Sequence, residues 1–344
     1  MTLLVTGATG FVMSVLARHW LEAHPAEHLV ALDAAPMDEA AQRYFAPVAD
    51  RLTTVIADVT QPDSWRPALD AHTITYIVHG ATVTPIARGT VADSKREPEC
   101  DAPARIIDVN VMGTVAVLEW ARSLRSLRRF VYVSSGSVYK HHGPDRPGEP
   151  LPEDGYVMPR RLYGISKLAS ELITERYGDL FGFSAASVRL SSVYGPMDRP
   201  TASRNFHHVP NRVAHKALEG RAAIRVNTLD GVGDYIQAED VASGIARLLK
   251  APMLRFSTYN IASGETATVG QIAQWAAERV PGFHAEVVPP EQADIVQDAT
   301  LTGGMWGAYD ISRITADTGW KPRPTHEAFL AYMDWLSDKL KQPK

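Results

Sequence analysis

The chain has 344 residues, 45% hydrophobic and 22% charged, a balance ordinary for a soluble globular enzyme. Its formal net charge of -4 gives no electrostatic footing for nucleic acid or anionic membranes, and no apolar run approaches the roughly 18 residues of a membrane helix. One cysteine, Cys100, rules out an intrachain disulfide, and no signal-peptide pattern precedes the first strand, so a cytoplasmic protein is expected.

The first predicted element is a buried strand over 2–6, short, apolar and rich in β-formers. It runs into Gly7-Ala-Thr-Gly10 and then a helix over 11–23. That order makes a glycine motif meaningful: Gly7 permits the tight turn and Gly10 lets a pyrophosphate reach the backbone. Phe11 and Val12 open a helix whose free N–H groups attract that pyrophosphate. A second strand, 28–33, ends in Asp33, about 20 residues beyond the glycine turn. A carboxylate there accepts hydrogen bonds from adenosine ribose hydroxyls and repels a 2′-phosphate. No arginine follows it closely, so NAD is expected rather than NADP.

Strands over 52–57 and 74–79 and helices over 62–70 and 103–126 continue the alternation. The cations Arg122, Arg125, Arg128 and Arg129 suit the solvated end of a helix. The strand over 129–134 ends in a cluster of hydroxyls, including Ser135, at the carboxyl edge where a parallel sheet binds ligands. A Pro/Gly-rich loop over 143–150 then leads to a helix over 161–180. Tyr163 and Lys167 lie four apart near its start and share one face. An ammonium beside a phenol favours phenolate and draws its pKa from about 10 toward neutrality. Such a base can take a proton from a secondary alcohol.

A strand over 183–190 closes the regular pattern, which demands a parallel sheet covered by helices on both faces. Beyond it, Gly195, Pro196 and Pro200 mark loops. A helix over 205–219, a strand over 222–227 and helices over 239–250, 269–279 and 325–340 follow. They read as a smaller lobe over the carboxyl end of the sheet, with a strand over 257–262 returning to it. Substrate is expected in the cleft between. Twelve histidines show no metal-ligand spacing, and the adjacent pairs His141-His142 and His207-His208 point apart on regular elements, so no metal is expected.

Taken in order, several segments carry a resemblance. They are Gly7–Gly10, Ala57–Thr60, Val78–Ala81, Asn110–Thr114, Val133–Tyr139, Tyr163–Lys167, Val188–Pro196, Asp234–Ala242 and Tyr309–Ile314. Over nearly its whole length the chain resembles the extended short-chain dehydrogenases/reductases, the NAD-dependent epimerase/dehydratase group. The resemblance implies an α/β fold: a doubly wound parallel (Rossmann) sheet with a smaller C-terminal substrate-binding lobe. It implies an NAD-binding part over 1–190 plus the returning strand, and a substrate-binding part over 191–344.

By position, Ser135 matches the residue that orients the substrate oxygen and Tyr163 the acid/base. Lys167 matches the residue that holds the nicotinamide ribose and tunes the tyrosine. Asp58 and Val59 match adenine contacts, and Gly80, Ala81 and Thr82 a wall beside the cofactor. Asn110 matches a buried residue behind the site, and Val133 and Leu190 complete the cofactor set. Arg189 and Ser192 lie on the segment that lines the substrate pocket, with Asn205, His207 and Trp306 as further candidates. The resemblance also implies a homodimer through the helices over 103–126 and 161–180. Leu118, Trp120, Leu168, Leu172 and Ile173 are its candidate contacts, unless they pack on the sheet.

Departures from the pattern bear on substrate. Met13 stands where a third glycine serves close helix–strand packing, and should push the first helix slightly outward. Relatives acting on nucleotide-diphosphate sugars carry an arginine at the position of Gly233 and another in the stretch Pro289–Asp294, which has none. A diphosphate wants charge-assisted donors, so such a substrate is disfavoured unless Arg199, Arg204, Arg212, Arg225 or Arg313 compensates. Gly136 and Ser137 replace the carboxylates of the dehydratases. The expectation is an NAD-dependent oxidoreductase of a secondary alcohol on a small sugar-like substrate. The alternatives are an NAD-dependent sugar 4-epimerase and a non-catalytic NAD-binding sensor.

Overall fold

The computed structural model describes residues 1–84, 98–139, 148–201, 207–297 and 307–341. Asn205, Trp306, Arg204, the His141-His142 pair and most of the loop over 143–150 lie outside the described residues.

In the first half, β1 (Thr2–Thr6), β2 (His28–Asp33), β3 (Leu52–Ile56), β4 (Ile74–His79), β5 (Arg129–Ser135) and β6 (Ala185–Leu190) alternate with helices. The helices are α1 (Phe11–Ala23), α2 (Glu39–Phe45), α3 (Pro62–Leu69), α4 (Pro103–Ile107), α5 (Gly113–Ala121) and α6 (Leu162–Phe181). The second half adds β7 (Ser192–Tyr194), β8 (Ala223–Val226), β9 (Val232–Gly233), β10 (Tyr235–Gln237), β11 (Thr258–Ile261), β12 (Ala267–Thr268) and β13 (His284–Val287). Its helices are α7 (Val209–Leu218), α8 (Ala238–Lys250), α9 (Val269–Ala277), α10 (Ser312–Thr318) and α11 (Thr325–Lys341).

Among the described residues, seven strands form one sheet in the order β11-β6-β5-β4-β1-β2-β3, and each neighbouring pair is parallel. Side chains alternate across it, because successive residues of a strand face opposite ways. Leu3, Val5, Leu29 and Ala31 join a core under α1 and α8, with Trp20, Val241 and Ile245. Leu4, Val30 and Leu32 join the opposite core, with Trp65, Leu69, Leu118 and Trp120 from α3 and α5. Burial on both faces is what a parallel sheet requires. The sequence order reverses between β1 and β4, and the crevice beyond their carboxyl ends is where such sheets bind ligands.

A third core lies in the C-terminal part, where α7, α9 and α11 gather Val213, Ile224, Val226, Ile272, Phe329 and Met333. The large sheet takes more of this half than β11 alone. Helix α8 packs beside α1, and Ile314 and Trp320 belong to the same core.

Several expectations change. The helix over 103–126 is broken: α4 and α5 flank a π turn at Asp108–Met112. Helix α2 was not anticipated, although Asp38 caps it by accepting the Ala41 N–H at 2.8 Å. Arg129 does not end a helix. It opens β5, is buried, and donates to the carbonyls of Leu248, Leu249 and Ala251 at the carboxyl end of α8. Leu118 and Trp120 are core residues, and Trp120 Nε1 donates to Asp70 at 2.8 Å. Leu168 and Ile173 are partly buried against cores, whereas Leu172 on α6 is exposed, as are Ile165, Leu180 and Phe181. No described helix is long and apolar enough to cross a membrane, and no described group of three metal-ligating side chains comes together.

Candidate active site

The crevice at the switch point is a cavity of about 660 Å³. Gly7 and Gly10 form one wall. Gly7 takes φ +70°, and a Cβ on it would lie 2.9 Å from both Ala81 N and Gly80 O, so the turns after β1 and β4 touch backbone to backbone. Gly10 N-caps α1 without a side chain, so Phe11, Val12 and Met13 begin the helix facing the same cavity. The first turn of α1 and its helix dipole make an anion cradle that small residues at 7 and 10 leave open.

Asp33 lines the same cavity. Its Oδ2 accepts the Thr9 N–H at 2.9 Å and its Oδ1 the Ala35 N–H at 3.0 Å, so the carboxylate also braces the glycine turn. Asp58 and Val59 lie on the cavity wall with Arg105. Burial alone would raise the Asp58 carboxyl, but Arg105 Nη2 at 2.5 Å and two bonds from Thr60 win and hold it below its usual range.

Gly80, Ala81 and Thr82 form the wall beyond β4. Thr6 Oγ1 accepts the N–H groups of Gly80 and Ala81 at 3.2 and 3.1 Å. Its own proton therefore goes to His79 Nδ1, 2.7 Å away, and His79 donates from Nε2 to Thr114 Oγ1 at 3.1 Å. Thr114 in turn donates to the Asn110 carbonyl at 2.6 Å. Burial, assisted by the charge of Lys167, pushes the His79 imidazole down to about 3. It stays neutral and serves as a rigid spacer.

Asn110 does not line the cavity. The π turn directs its amide inward, where Oδ1 accepts from Thr82 Oγ1 and Val83 N and Nδ2 donates to Val83 O and Ser166 Oγ. It locks the wall after β4 onto α6. Met13 packs against the wall after β4. A Cβ on Gly80 would lie 2.5 Å from both Cγ and Sδ of Met13, so the larger residue is housed over that glycine.

Val133, Ser135, Tyr163, Lys167 and Leu190 meet at the other end of the cavity. Lys167 is buried; its Nζ donates to Val133 O at 2.8 Å and stands 5.6 Å from the centre of the Tyr163 ring. Burial pushes the amine down to about 7, with the Glu171 carboxylate working the other way. Ser135 Oγ accepts the Ser137 N–H at 3.2 Å. Glu171, one turn below Lys167, was not singled out in the sequence. It accepts from Ser134 Oγ and from Arg189, so two successive β5 residues, Val133 and Ser134, are fastened to Lys167 and Glu171. The signal was present as Tyr163, Lys167 and Glu171 at successive steps of four on one helix face.

Arg189 corrects another expectation. It is not a pocket residue: its guanidinium is buried, bound to Glu171, and donates to Glu153 O at 2.9 Å. Burial opposes its charge, and Glu171 overrides that to hold it above its usual range. Ser192 and His207 also stand outside the cavity lining, where Ser191, Val193, Thr201 and His208 take part instead. His207 Nδ1 lies 3.2 Å from buried Asp198.

The two glycines that depart from the family pattern are each covered by a tyrosine. A Cβ on Gly136 would lie 1.7 Å from the Tyr309 hydroxyl, so that phenol fills the space a side chain there would need. A Cβ on Gly233 would lie 2.5 Å from Tyr235 Cζ. Asp234 holds both regions together: buried, it accepts N–H bonds from Ser263, Gly264 and Tyr309.

Residues 3–262 match the family model described as the NAD dependent epimerase/dehydratase family. The chain is 25% identical over 347 residues to a GDP-6-deoxy-D-mannose reductase of Pseudomonas aeruginosa, covering 97% of each. It is 26% identical over 335 residues to a UDP-glucose 4-epimerase of Mycolicibacterium smegmatis, covering 94% of each. Among solved structures, UDP-glucose 4-epimerase from Thermotoga maritima with UDP-glucose superposes with TM-score 0.76 at 19% identity, covering 99% of this chain and 100% of that one. UDP-glucuronic acid 4-epimerase from Bacillus cereus, in complex with UDP-glucuronic acid and NAD, superposes with TM-score 0.74 at 20% identity, covering 98% and 100%. At these identities the structural likeness is one of fold.

Proposed function

Since the chain belongs to the NAD-dependent epimerase/dehydratase family, we propose that it oxidises a secondary alcohol of a sugar or sugar-like substrate by transferring hydride to NAD. The observation that carries this reading is the single cavity that runs from Gly7, Gly10 and Asp33 at one end to Ser135, Tyr163 and Lys167 at the other.

The cofactor is NAD, and its nicotinamide C4 supplies a hydride acceptor when bound. The glycine turn and the first turn of α1 would hold the pyrophosphate, Asp33 the adenosine ribose, and Asp58 and Val59 the adenine. Tyr163 takes the hydroxyl proton of the substrate. Lys167 holds the nicotinamide ribose, and its ammonium field favours the phenolate that Tyr163 needs. Ser135 donates to the substrate oxygen and keeps it in register with Tyr163.

We read the substrate as lacking a nucleotide diphosphate. Tyr235 fills the space at Gly233. The described arginines that could compensate are engaged: Arg199 with Asp38, Arg225 with Asp294, Arg313 with Glu153 and Asp154, and Arg212 with the Asp294 carbonyl. Tyr309 over Gly136 leaves no room for a dehydratase carboxylate. The exposed apolar residues of α6, Ile165, Leu172, Leu180 and Phe181, are the surface we assign to a homodimer.

The test is to give the purified chain NAD with free sugars, sugar acids, polyols and nucleotide sugars, and to follow the near-ultraviolet absorbance of NADH. A rise with a free sugar or acid supports the dehydrogenase reading. A changed stereocentre by NMR with no rise would make it an epimerase, the second family activity. Turnover restricted to nucleotide-diphosphate sugars would overturn the substrate reading.

A further inference from the structure

Arg199 comes from the segment after β7, far along the chain from the glycine turn, yet the fold brings it there. Its Nη2 lies 3.5 Å from the Thr9 carbonyl. The N–H of that same Thr9 donates to Asp33 Oδ2 at 2.9 Å. One residue therefore separates a guanidinium from the carboxylate assigned to the adenosine ribose.

Each nitrogen of the guanidinium donates at least one hydrogen bond. Nε and Nη2 donate to the two oxygens of Asp38, each at 2.8 Å, and Nη1 donates to Met197 O at 3.2 Å. The pairing is bidentate, the geometry arginine also uses for phosphate. Arg199 is 15% exposed and Asp38 50%. Asp38 lies three residues beyond Ala35, which lines the cavity beside Asp33. Met197, at φ +67°, is the only non-glycine with positive φ among the described residues, so the segment accepts a strained turn just before Arg199.

We infer that Arg199 is a latent ligand for a 2′-phosphate and that Asp38 withholds it, making Asp38 a second determinant of NAD over NADP. Asp33 repels the extra phosphate, and Asp38 neutralises a guanidinium held one residue away from that carboxylate, at Thr9. The hydrogen bond from Arg199, first among the causes, holds the Asp38 carboxyl below its usual range, so the pair stays ionised at working pH. The inference rests on the assignment of Asp33 to the ribose.

The experiment measures NAD and NADP dissociation constants by calorimetry, which needs no substrate. The chains are wild type, Asp33→Asn, Asp33→Asn/Asp38→Asn, and that double variant with Arg199→Ala. Asparagine at 38 keeps an oxygen for the Ala41 N–H, and Asp38→Ser provides a second cap-competent variant should the first fold poorly. Asp33→Asn alone should weaken NAD, and unchanged NAD affinity there would refute the ribose assignment itself. Adding Asp38→Asn should tighten NADP by about a further tenfold, the scale of one charge-assisted hydrogen bond, while NAD changes little. Arg199→Ala should abolish that gain. NADP affinity unmoved by Asp38→Asn and Asp38→Ser, or a gain that survives Arg199→Ala, would overturn the inference.

Discussion

Arg189 and Glu171 form a buried ion pair, with Nη2 2.8 Å from Oε2 and Nε 3.0 and 3.1 Å from the two carboxylate oxygens. It joins β6 to α6 one helical turn from Lys167. Each charge was taken out of water to make this contact, so either one left alone is costly. Arg189→Met should lower stability by about 3–5 kcal/mol, read as a shift in the urea unfolding midpoint. The double variant Arg189→Met/Glu171→Leu should recover most of that loss. A double variant as unstable as the single would show that the pair's geometry, rather than its charge balance, holds these elements together.

Tyr163 is the proposed proton acceptor, and the phenol oxygen is the only atom that Tyr163→Phe removes. General-base catalysis contributes roughly 10²–10⁴-fold, so kcat should fall by at least about 100-fold. The dissociation constant of NAD should change little, because the anion cradle and Asp33 lie at the far end of the cavity. Undiminished turnover on the substrate found above would remove Tyr163 from the mechanism.

What could be read from the sequence was whatever local spacing encodes. Gly7, Gly10 and Asp33 follow strands whose apolar runs were plain, and Tyr163 and Lys167 are neighbours on one helix face. The returning strand expected over 257–262 is β11, at the edge of the large sheet. Pairs set by tertiary approach were invisible: Arg189 with Glu171, Arg199 with Asp38, Tyr309 over Gly136. Arg189 sits in a segment that the resemblance expects to line the pocket. Strand alternation instead turns its side chain to α6. Helix α2 was overlooked because seven residues give too little periodicity. The π turn escaped because an inserted residue leaves composition unchanged.

The Lys167 amine gives a pH prediction with a definite sign. Its ordinary value is 10.5 and burial brings it to about 7 in the folded chain. Between these values the unfolded chain holds a proton that the folded chain has released, so stability rises with pH across the window. The cost of burying the ammonium is fully present below about pH 7 and is relieved as pH climbs toward 10. Relative to Lys167→Met, the wild-type chain without NAD should gain up to roughly 1.4 kcal/mol per pH unit there. Ribose hydroxyls accepting from the ammonium favour its charged form, so saturating NAD should flatten the slope. Parallel stability curves for the two chains would show that Lys167 keeps an ordinary affinity for its proton.

Met13 and Gly80 make a complementary pair that tests how this chain dispenses with a glycine at position 13. The thioether lies where a Cβ on residue 80 would stand, 2.5 Å from both Cγ and Sδ, and Met13 is itself buried. Gly80→Ala therefore overpacks a wall that also lines the cavity, at a cost of about 1–3 kcal/mol. Methionine is flexible enough to yield in part, which places the expectation at the lower end of that range. Met13→Ala alone should leave a void and also destabilise, by about 2 kcal/mol or more. The double variant returns the space that each change disturbs, so its loss of stability should be smaller than the sum of the two single losses. Since both residues face the cofactor groove, the NAD affinity of Gly80→Ala should fall and recover with the second substitution. Strictly additive losses would mean that Met13 and Gly80 do not share one volume, and that position 13 is accommodated by movement of α1 instead.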